Sequence, residues 1–423
     1  MSAQNDEADL PIWQREKLFP EKPTDGPYGV QIGRGQARAF ETLRDLAAYL
    51  ADWQKPASLI WTPERQRCFP AEEEAELLAS LRRRKAARAD SDWSSYRFRA
   101  AIFALPLVYF VWKGLAGGAK GLLRSQELGL FSVLWLMFFG LPAYEAWKRR
   151  ARAIRLRADN LASEAQEIRF DGWIRRQQVP ATKILFLILI GVYFAQVLAS
   201  LEFTRNLFDS VFFPYAEWEG KPTLAGAVAA GLVKNQFGVG YFKGEWWRLF
   251  TAPFLHGQVI HIVMNGLGLL FLGRRAETMA GWPHLVMVFV VSMLFGGLAS
   301  AYGKPSQLSV GASGGIMGVL GFLLAFEFLH ARLVPKPATR RLLAAVVFTF
   351  IVGFVGYQFI DNWAHGGGLL AGLLYGLIVF PRSSSPHRPG VTSLDKIAGS
   401  FSGAIILGAA VLAIFLIRTS GAG

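Results

Sequence analysis

Long runs of apolar residues restrict this chain more than any other feature. Ile184–Leu201, Phe250–Leu272, His284–Tyr302, Leu308–His330, Leu342–Tyr357, Asn362–Phe380 and Phe401–Ile417 each carry almost no charge. A helix rises about 1.5 Å per residue, so about 20 such residues cross the roughly 30 Å hydrocarbon layer of a bilayer. Two weaker runs come earlier. Ala100–Gly117 is interrupted by Lys113, and Leu128–Trp147 follows it across Lys120–Glu127. These two read as a hairpin, because Arg97 and Arg99 flank one outer end and Lys148–Arg157 the other. About nine spans are expected in all. Charge is sparse, at 18% of residues against about 25% in an ordinary soluble domain.

Residues 1–98 are polar and hold no early apolar segment of the signal-peptide kind. Phe40, Leu43, Leu46, Ala47, Leu50 and Trp53 recur at helical spacing, which predicts an amphipathic helix over 36–53. Ser58–Trp61 reads as a short strand. The segment 71–88 starts acidic (Glu72, Glu73, Glu74, Glu76) and ends basic (Arg82, Arg83, Arg84, Lys85, Arg88), as suits a helix dipole. The region reads as a small soluble cap with no evident chemistry.

Basic residues cluster beside the spans. Lys148, Arg149, Arg150, Arg152, Arg155 and Arg157 mark 148–183 as cytoplasmic, and Arg274, Arg275, Arg332, Lys336, Arg340, Arg341, Arg382 and Arg388 fall on the same side by alternation. The net charge of +14 is therefore read as membrane orientation, and no nucleic-acid partner is expected. The N-terminus is expected in the cytoplasm, and a bacterial inner (cell) membrane is the expected location. The lone Cys68 cannot form an internal disulfide, and no Cys/His spacing suggests a metal; no cofactor is expected.

Polar side chains inside spans are costly and so mark candidate sites. Gly311-Ala312-Ser313-Gly314-Gly315 fits G-x-S-x-G, although that elbow belongs to a strand–helix turn of a soluble sheet. Taken alone, Ser313 and its glycines read more readily as small residues at a helix contact. His365 lies in Ala364-His365-Gly366-Gly367-Gly368, and Gly368, Gly372 and Gly376 give its helix one bare face. The glycine-rich Ser313 helix is the obvious partner. Ser313 and His365 each fall about four residues inside their predicted spans, so both are expected at matched depth. A Ser–His pair within hydrogen-bond reach is the minimum for an activated hydroxyl. His261 and Asn265 are one turn apart on one helix face and can both donate to a developing oxyanion. Alone, that pair reads as a polar helix contact.

Together these groups resemble the rhomboid family of intramembrane serine proteases over roughly Lys183–Phe380. The matching features are Glu245-Trp246-Trp247-Arg248, His256 followed by His261-x-x-x-Asn265, Glu277 after that helix, Gly311-x-Ser313-Gly314, and Ala364-His365 with Gly368 and Gly372 behind it. The resemblance implies an all-α polytopic membrane protein with a six-helix core. It also implies a catalytic dyad of Ser313 and His365, an oxyanion hole of His261, Asn265 and the Ser313 N–H, and supporting roles for Gly311, Gly314, His256, Gly368 and Gly372. Trp246 and Arg248 would anchor a loop in the membrane interface. Met317 stands where the family often has Tyr, which implies altered packing on the histidine. Asp361, one turn before His365, reads as a helix cap or, less simply, as an orienting carboxylate.

The expected layout is a soluble region at 1–98, a transmembrane hairpin at 99–147, a basic linker at 148–183, the protease-like core at 184–380, a linker at 381–400 and an added helix at 401–423. The expected activity is endoproteolysis of transmembrane protein substrates near the outer membrane face, with water reaching Ser313 through a polar cavity. One alternative is a catalytically dead relative that binds membrane proteins. A transporter would need a repeat or mid-span acids, and Glu327 is the only such candidate.

Overall fold

The computed structural model describes residues 10–14, 26–33, 36–52, 59–65, 68–116, 132, 135–153, 158–212, 217–218, 221–222, 230–235, 239–357 and 360–419. The chain divides into two compact units, one formed by residues 1–172 with 354–356 and the other by the remainder.

The first unit contains strands β1 (Tyr28–Gly33), β2 (Gln36–Phe40), β3 (Leu59–Trp61) and β4 (Cys68–Pro70), in the antiparallel order β2-β1-β3-β4. Helix α1 spans Leu43–Asp52. The helix predicted over 36–53 is therefore wrong in its first part. Phe40 ends a strand paired with Tyr28, and the helix begins only after Thr42, whose hydroxyl accepts the Asp45 N–H at 3.1 Å. Trp53 and Ser58 lie outside the described residues. Val30, Ile60 and Phe69 lie in register across the sheet and pack against Leu46, Leu50, Leu77 and Leu81. The 71–88 segment also departs from a single helix, with short 3-10 turns at Ala71–Glu73 and Ala75–Leu77 before α2 (Leu78–Ile102).

Helix α3 (Leu105–Ala116) covers the first weak apolar run with only 12 residues, and α4 (Leu141–Ala153) holds the end of the second. Helix α5 spans Ala158–Arg176. The turn at Lys120–Glu127, most of 128–134, and Arg155 and Arg157 lie outside the described residues.

The second unit is helical. It runs α6 (Pro180–Thr204), α7 (Leu207–Phe212), α8 (Arg248–Thr251), α9 (Val259–Ala280), α10 (Trp282–Gly303), α11 (Ser313–Leu329), α12 (Lys336–Val355), α13 (Asn362–Val379) and α14 (Ser393–Thr419). Seven of these match the seven strong apolar runs. Helices α6, α9, α10 and α14 are long and apolar enough to cross a bilayer by themselves, and α11 is a shorter apolar helix. Phe271, Phe295, Phe328, Leu370, Ile378 and Phe401 remain exposed on the helices, as side chains facing lipid do. The protein is a multi-pass, mostly helical membrane protein, with the sheet described above in its first unit.

Two boundaries differ from expectation in ways that shape the site. The run Phe250–Leu272 does not start as a helix. Residues Ala252–Phe254 form a 3-10 turn containing Pro253, and α9 begins at Val259. The run Leu308–His330 likewise becomes helical only at Ser313. Backbone that leaves a helix near membrane depth must find other partners. Here Leu232 and Ser309 exchange N–H···O bonds of 2.9 and 3.2 Å, and Gly311 donates to Ala252 at 3.0 Å.

The ends opposite the site are fixed by buried polar contacts. Glu277 sits inside the last turn of α9 rather than after it. Its carboxylate accepts from the N–H groups of Ala181 (3.0 Å) and Thr182 (2.8 Å) and from the Thr182 hydroxyl (2.7 Å). Glu327 is no isolated acid, since Arg275 binds it at 2.6 Å and Thr339 at 2.7 Å.

Candidate active site

The site is organised by one helix seam. Helices α11 and α13 touch through glycine backbone. A Cβ on Gly368 would lie 2.0 Å from the Gly314 carbonyl oxygen, and one on Gly372 would lie 1.8 Å from the Gly318 oxygen. No side chain fits at either position. Helix α10 closes the same junction, since a Cβ on Gly296 would meet the Ala364 oxygen at 2.8 Å and Gly314 Cα at 3.5 Å. Small residues allow this approach between helices in lipid, where apolar area alone gives little reason to associate.

The seam pairs 314 with 368 and 318 with 372, so the two helices run parallel. Ser313 is then level with residue 367, and His365 lies two residues nearer the start of its helix. At 1.5 Å per residue the offset is about 3 Å. Ser313 is the first residue of α11 rather than lying about four residues inside a span, because Leu308–Ala312 is not helical. The Ser313 N–H therefore has no carbonyl one turn back within its own helix.

The Ser313 hydroxyl and the His365 imidazole are not hydrogen-bonded to each other, and His365 Nδ1 is buried without a partner. Asp361 does not orient that ring. One of its oxygens accepts the Ala364 N–H at 3.0 Å and the other accepts the Ser300 hydroxyl, so it is the N-cap of α13.

His261 and Asn265 flank the chain that enters α11. A Cβ on Gly311 would lie 2.5 Å from His261 Cε1 and 3.3 Å from Asn265 Nδ2. Gly311 also has φ of +112°, so both space and backbone conformation demand glycine there. The Asn265 Nδ2 group is buried without a partner. Unsatisfied buried donors are uncommon and cost about 1–3 kcal/mol, so this one invites a functional explanation. The fully buried His256 meets the His261 ring edge-on, with centroids 5.0 Å apart. Met317 is buried on α11.

A cavity of about 30 Å³ adjoins these groups, lined by Ser309, Gly311, Gly314, Gly315 and Ala364 together with apolar side chains. Its lining is mostly apolar, whereas a polar cavity was expected.

Arg248 departs from its expected place. It is buried, donating to Glu245 at 2.7 Å and to the Gly231 carbonyl at 2.8 Å, with its guanidinium 4.5 Å from the Trp247 ring. It staples the loop from inside, whereas Trp246 is 64% exposed and free to meet the interface. Sequence reasoning passed over Gln196. Its amide accepts the His256 N–H at 3.0 Å and donates to the His256 carbonyl at 3.3 Å. The available signal was a lone amide inside the run Ile184–Leu201.

Residues 243–382 match the profile of the Rhomboid domain. This stretch of the chain is a rhomboid domain. The chain is similar to RHOMBOID-like protein 4 of Arabidopsis thaliana, with 34% identity over 143 residues, covering 34% of this chain and 36% of that protein. RHOMBOID-like protein 1 of the same plant is 30% identical over 192 residues, covering 39% and 49%. Inactive rhomboid protein 2 of Homo sapiens is 34% identical over 171 residues, covering 38% and 20%. The chain spans no more than about half the length of these relatives.

Proposed function

We propose that this rhomboid protein is an intramembrane serine endopeptidase acting on transmembrane protein substrates. The observation that carries the reading is the glycine seam between α11 and α13, with Ser313 and His365 at adjoining starts of the two helices. Ser313 Oγ attacks the scissile carbonyl while His365 takes its proton. Negative charge collects on the carbonyl oxygen, where Asn265, His261 and the Ser313 N–H donate. Collapse of the intermediate passes the proton from His365 to the leaving amine, and water then releases the acyl group by the same route. The unpartnered Asn265 amide supports the oxyanion role.

Gly311 and Gly314 hold the chain close to His261 and to α13, Gly368 and Gly372 keep the seam narrow, and His256 backs His261. The basic residues beside the spans support a cytoplasmic N-terminus and cleavage near the opposite face. Relatives from a plant and a mammal lend nothing to a bacterial membrane in particular.

A second reading is a rhomboid that binds membrane proteins without cutting them. It is favoured by the similarity to a protein named inactive and by the unjoined Ser313–His365 pair. Purified protein with a labelled transmembrane substrate separates the two. Wild type should cleave and should react with a fluorophosphonate probe, and Ser313→Ala and His365→Ala should do neither. Loss of the nucleophile should lower turnover on the order of 10⁶-fold. Equal cleavage by wild type and Ser313→Ala would sink the protease reading.

A further inference from the structure

The dyad chemistry leaves unused a buried ionic cluster beside the starts of α11 and α13. Lys234, in the connection between α7 and α8, is fully buried. Its ammonium donates to the carbonyls of Lys304 at 2.8 Å and Gln307 at 2.6 Å. Those carbonyls belong to the turn between α10 and Ser313. Its charge also acts on Asp361, which caps α13, accepts the Ser300 hydroxyl and has the Ser309 side chain beside it. The Asp361 carbonyl accepts the His365 N–H at 3.0 Å.

The seam explains why such a cluster is needed. Glycine backbone on glycine backbone sets the distance between α11 and α13 near their starts, and side chains interlock only toward the far ends, where Phe322 and Phe326 meet Tyr375 and Phe380. A slide of one residue would move Ser313 by about 1.5 Å relative to His365, enough to spoil a near-attack geometry. At the helix starts, beside Ser313 and His365, the polar ties are those of the Lys234 cluster.

We propose that Lys234 is a positioning residue, tying the turn that leads to Ser313 to the Asp361 cap of the helix that carries His365. This rests on the serine-protease reading. Burial pushes the Lys234 ammonium down to about 8, with Lys304 adding to the shift and Asp361 opposing it. The charged tie is therefore intact below about pH 8 and lost above it. The unfolded lysine titrates near 10.4, so between these values folding is relieved of a buried charge. Stability from this group does not fall as pH rises, whereas alignment does. A purely structural lysine would not separate the two.

The experiment follows turnover from pH 6 to 10 in wild type, Lys234→Met and Asp361→Asn, alongside hydrogen exchange at Ser309 and Gly311. Wild type should lose turnover with a midpoint near pH 8 without a matching loss of thermal stability. Lys234→Met should lower kcat about tenfold or more, with KM little changed, lack the alkaline limb, and speed exchange at both amides. Asp361→Asn keeps a capping side chain and removes only the charge that holds the Lys234 ammonium up, so it should move the limb to lower pH even if the methionine variant fails to fold. Turnover and pH profile equal to wild type in both variants would overturn the proposal. If wild type itself cleaves nothing, the protease reading fails separately. Exchange then decides the tie, with faster exchange in the variants supporting it and unchanged exchange refuting it.

Discussion

The α11–α13 seam and the core of the N-terminal sheet are built on opposite rules. In the sheet domain, Val30, Leu46, Leu50, Ile60 and Phe69 fill space with side chains and are almost wholly shielded from water. Each contributes by the area it removes from water. In the seam, Gly314, Gly318, Gly368 and Gly372 exclude side chains, and the contact is backbone on backbone. Deleting atoms should damage the first region, and adding them should damage the second. The difference shows how a polar cluster can be held in lipid: close approach orders the helices and leaves room for polar groups at their ends.

The sharpest test of the contrast is Gly372→Val, which should abolish cleavage, because its first carbon alone would fall 1.8 Å from the Gly318 oxygen. Gly366 has open space where a Cβ would go, so Gly366→Ala should leave turnover within about twofold, as an uncoupled site does. Tolerance of Gly372→Val would break the comparison. Next in size is Asn265→Ala, which should lower kcat about 10²–10³-fold with the fold intact, as loss of one oxyanion donor does. Steady-state kinetics with a circular-dichroism control would show it.

In the sheet core, Leu46→Ala should destabilise the N-terminal unit by about 2–5 kcal/mol, read by denaturant unfolding, while the glycine seam is untouched. The smallest effect is expected at the half-exposed Arg65–Glu73 pair, 2.8 Å long with the side chains 35% and 46% exposed. Arg65→Ala should cost under about 1 kcal/mol in the same assay, and a larger loss would show that this surface contributes more than its exposure allows.

The seven strong spans were legible because length and apolarity alone dictate them. The seam was legible from Gly368, Gly372 and Gly376 at fourfold spacing. Helix starts were not. Apolar spacing around Phe40 continues across a strand and a turn, so periodicity could not separate β2 from α1. Leu308–Ala312 is apolar enough to pass for helix, yet it pairs with Leu232, a partner far away in sequence. Arg248 misled for a related reason. A cation beside two tryptophans suits the membrane interface, but carbonyls presented by Gly231 and a carboxylate from Glu245 draw it inward. Asp361 could be read as a cap from its place before α13, whereas its neighbours Ser300 and Lys234 come from other parts of the chain.

The Glu277 carboxylate carries a consequence for biosynthesis. It closes the start of α6 by accepting from Ala181 and Thr182, about 95 positions earlier in the chain. When α6 emerges from the ribosome its terminal amides have no such acceptor, and they gain it only after α9 has been translated. The earliest core segment is thus completed by a later one, and ribosome-bound chains halted before residue 277 should leave those two amides open to exchange.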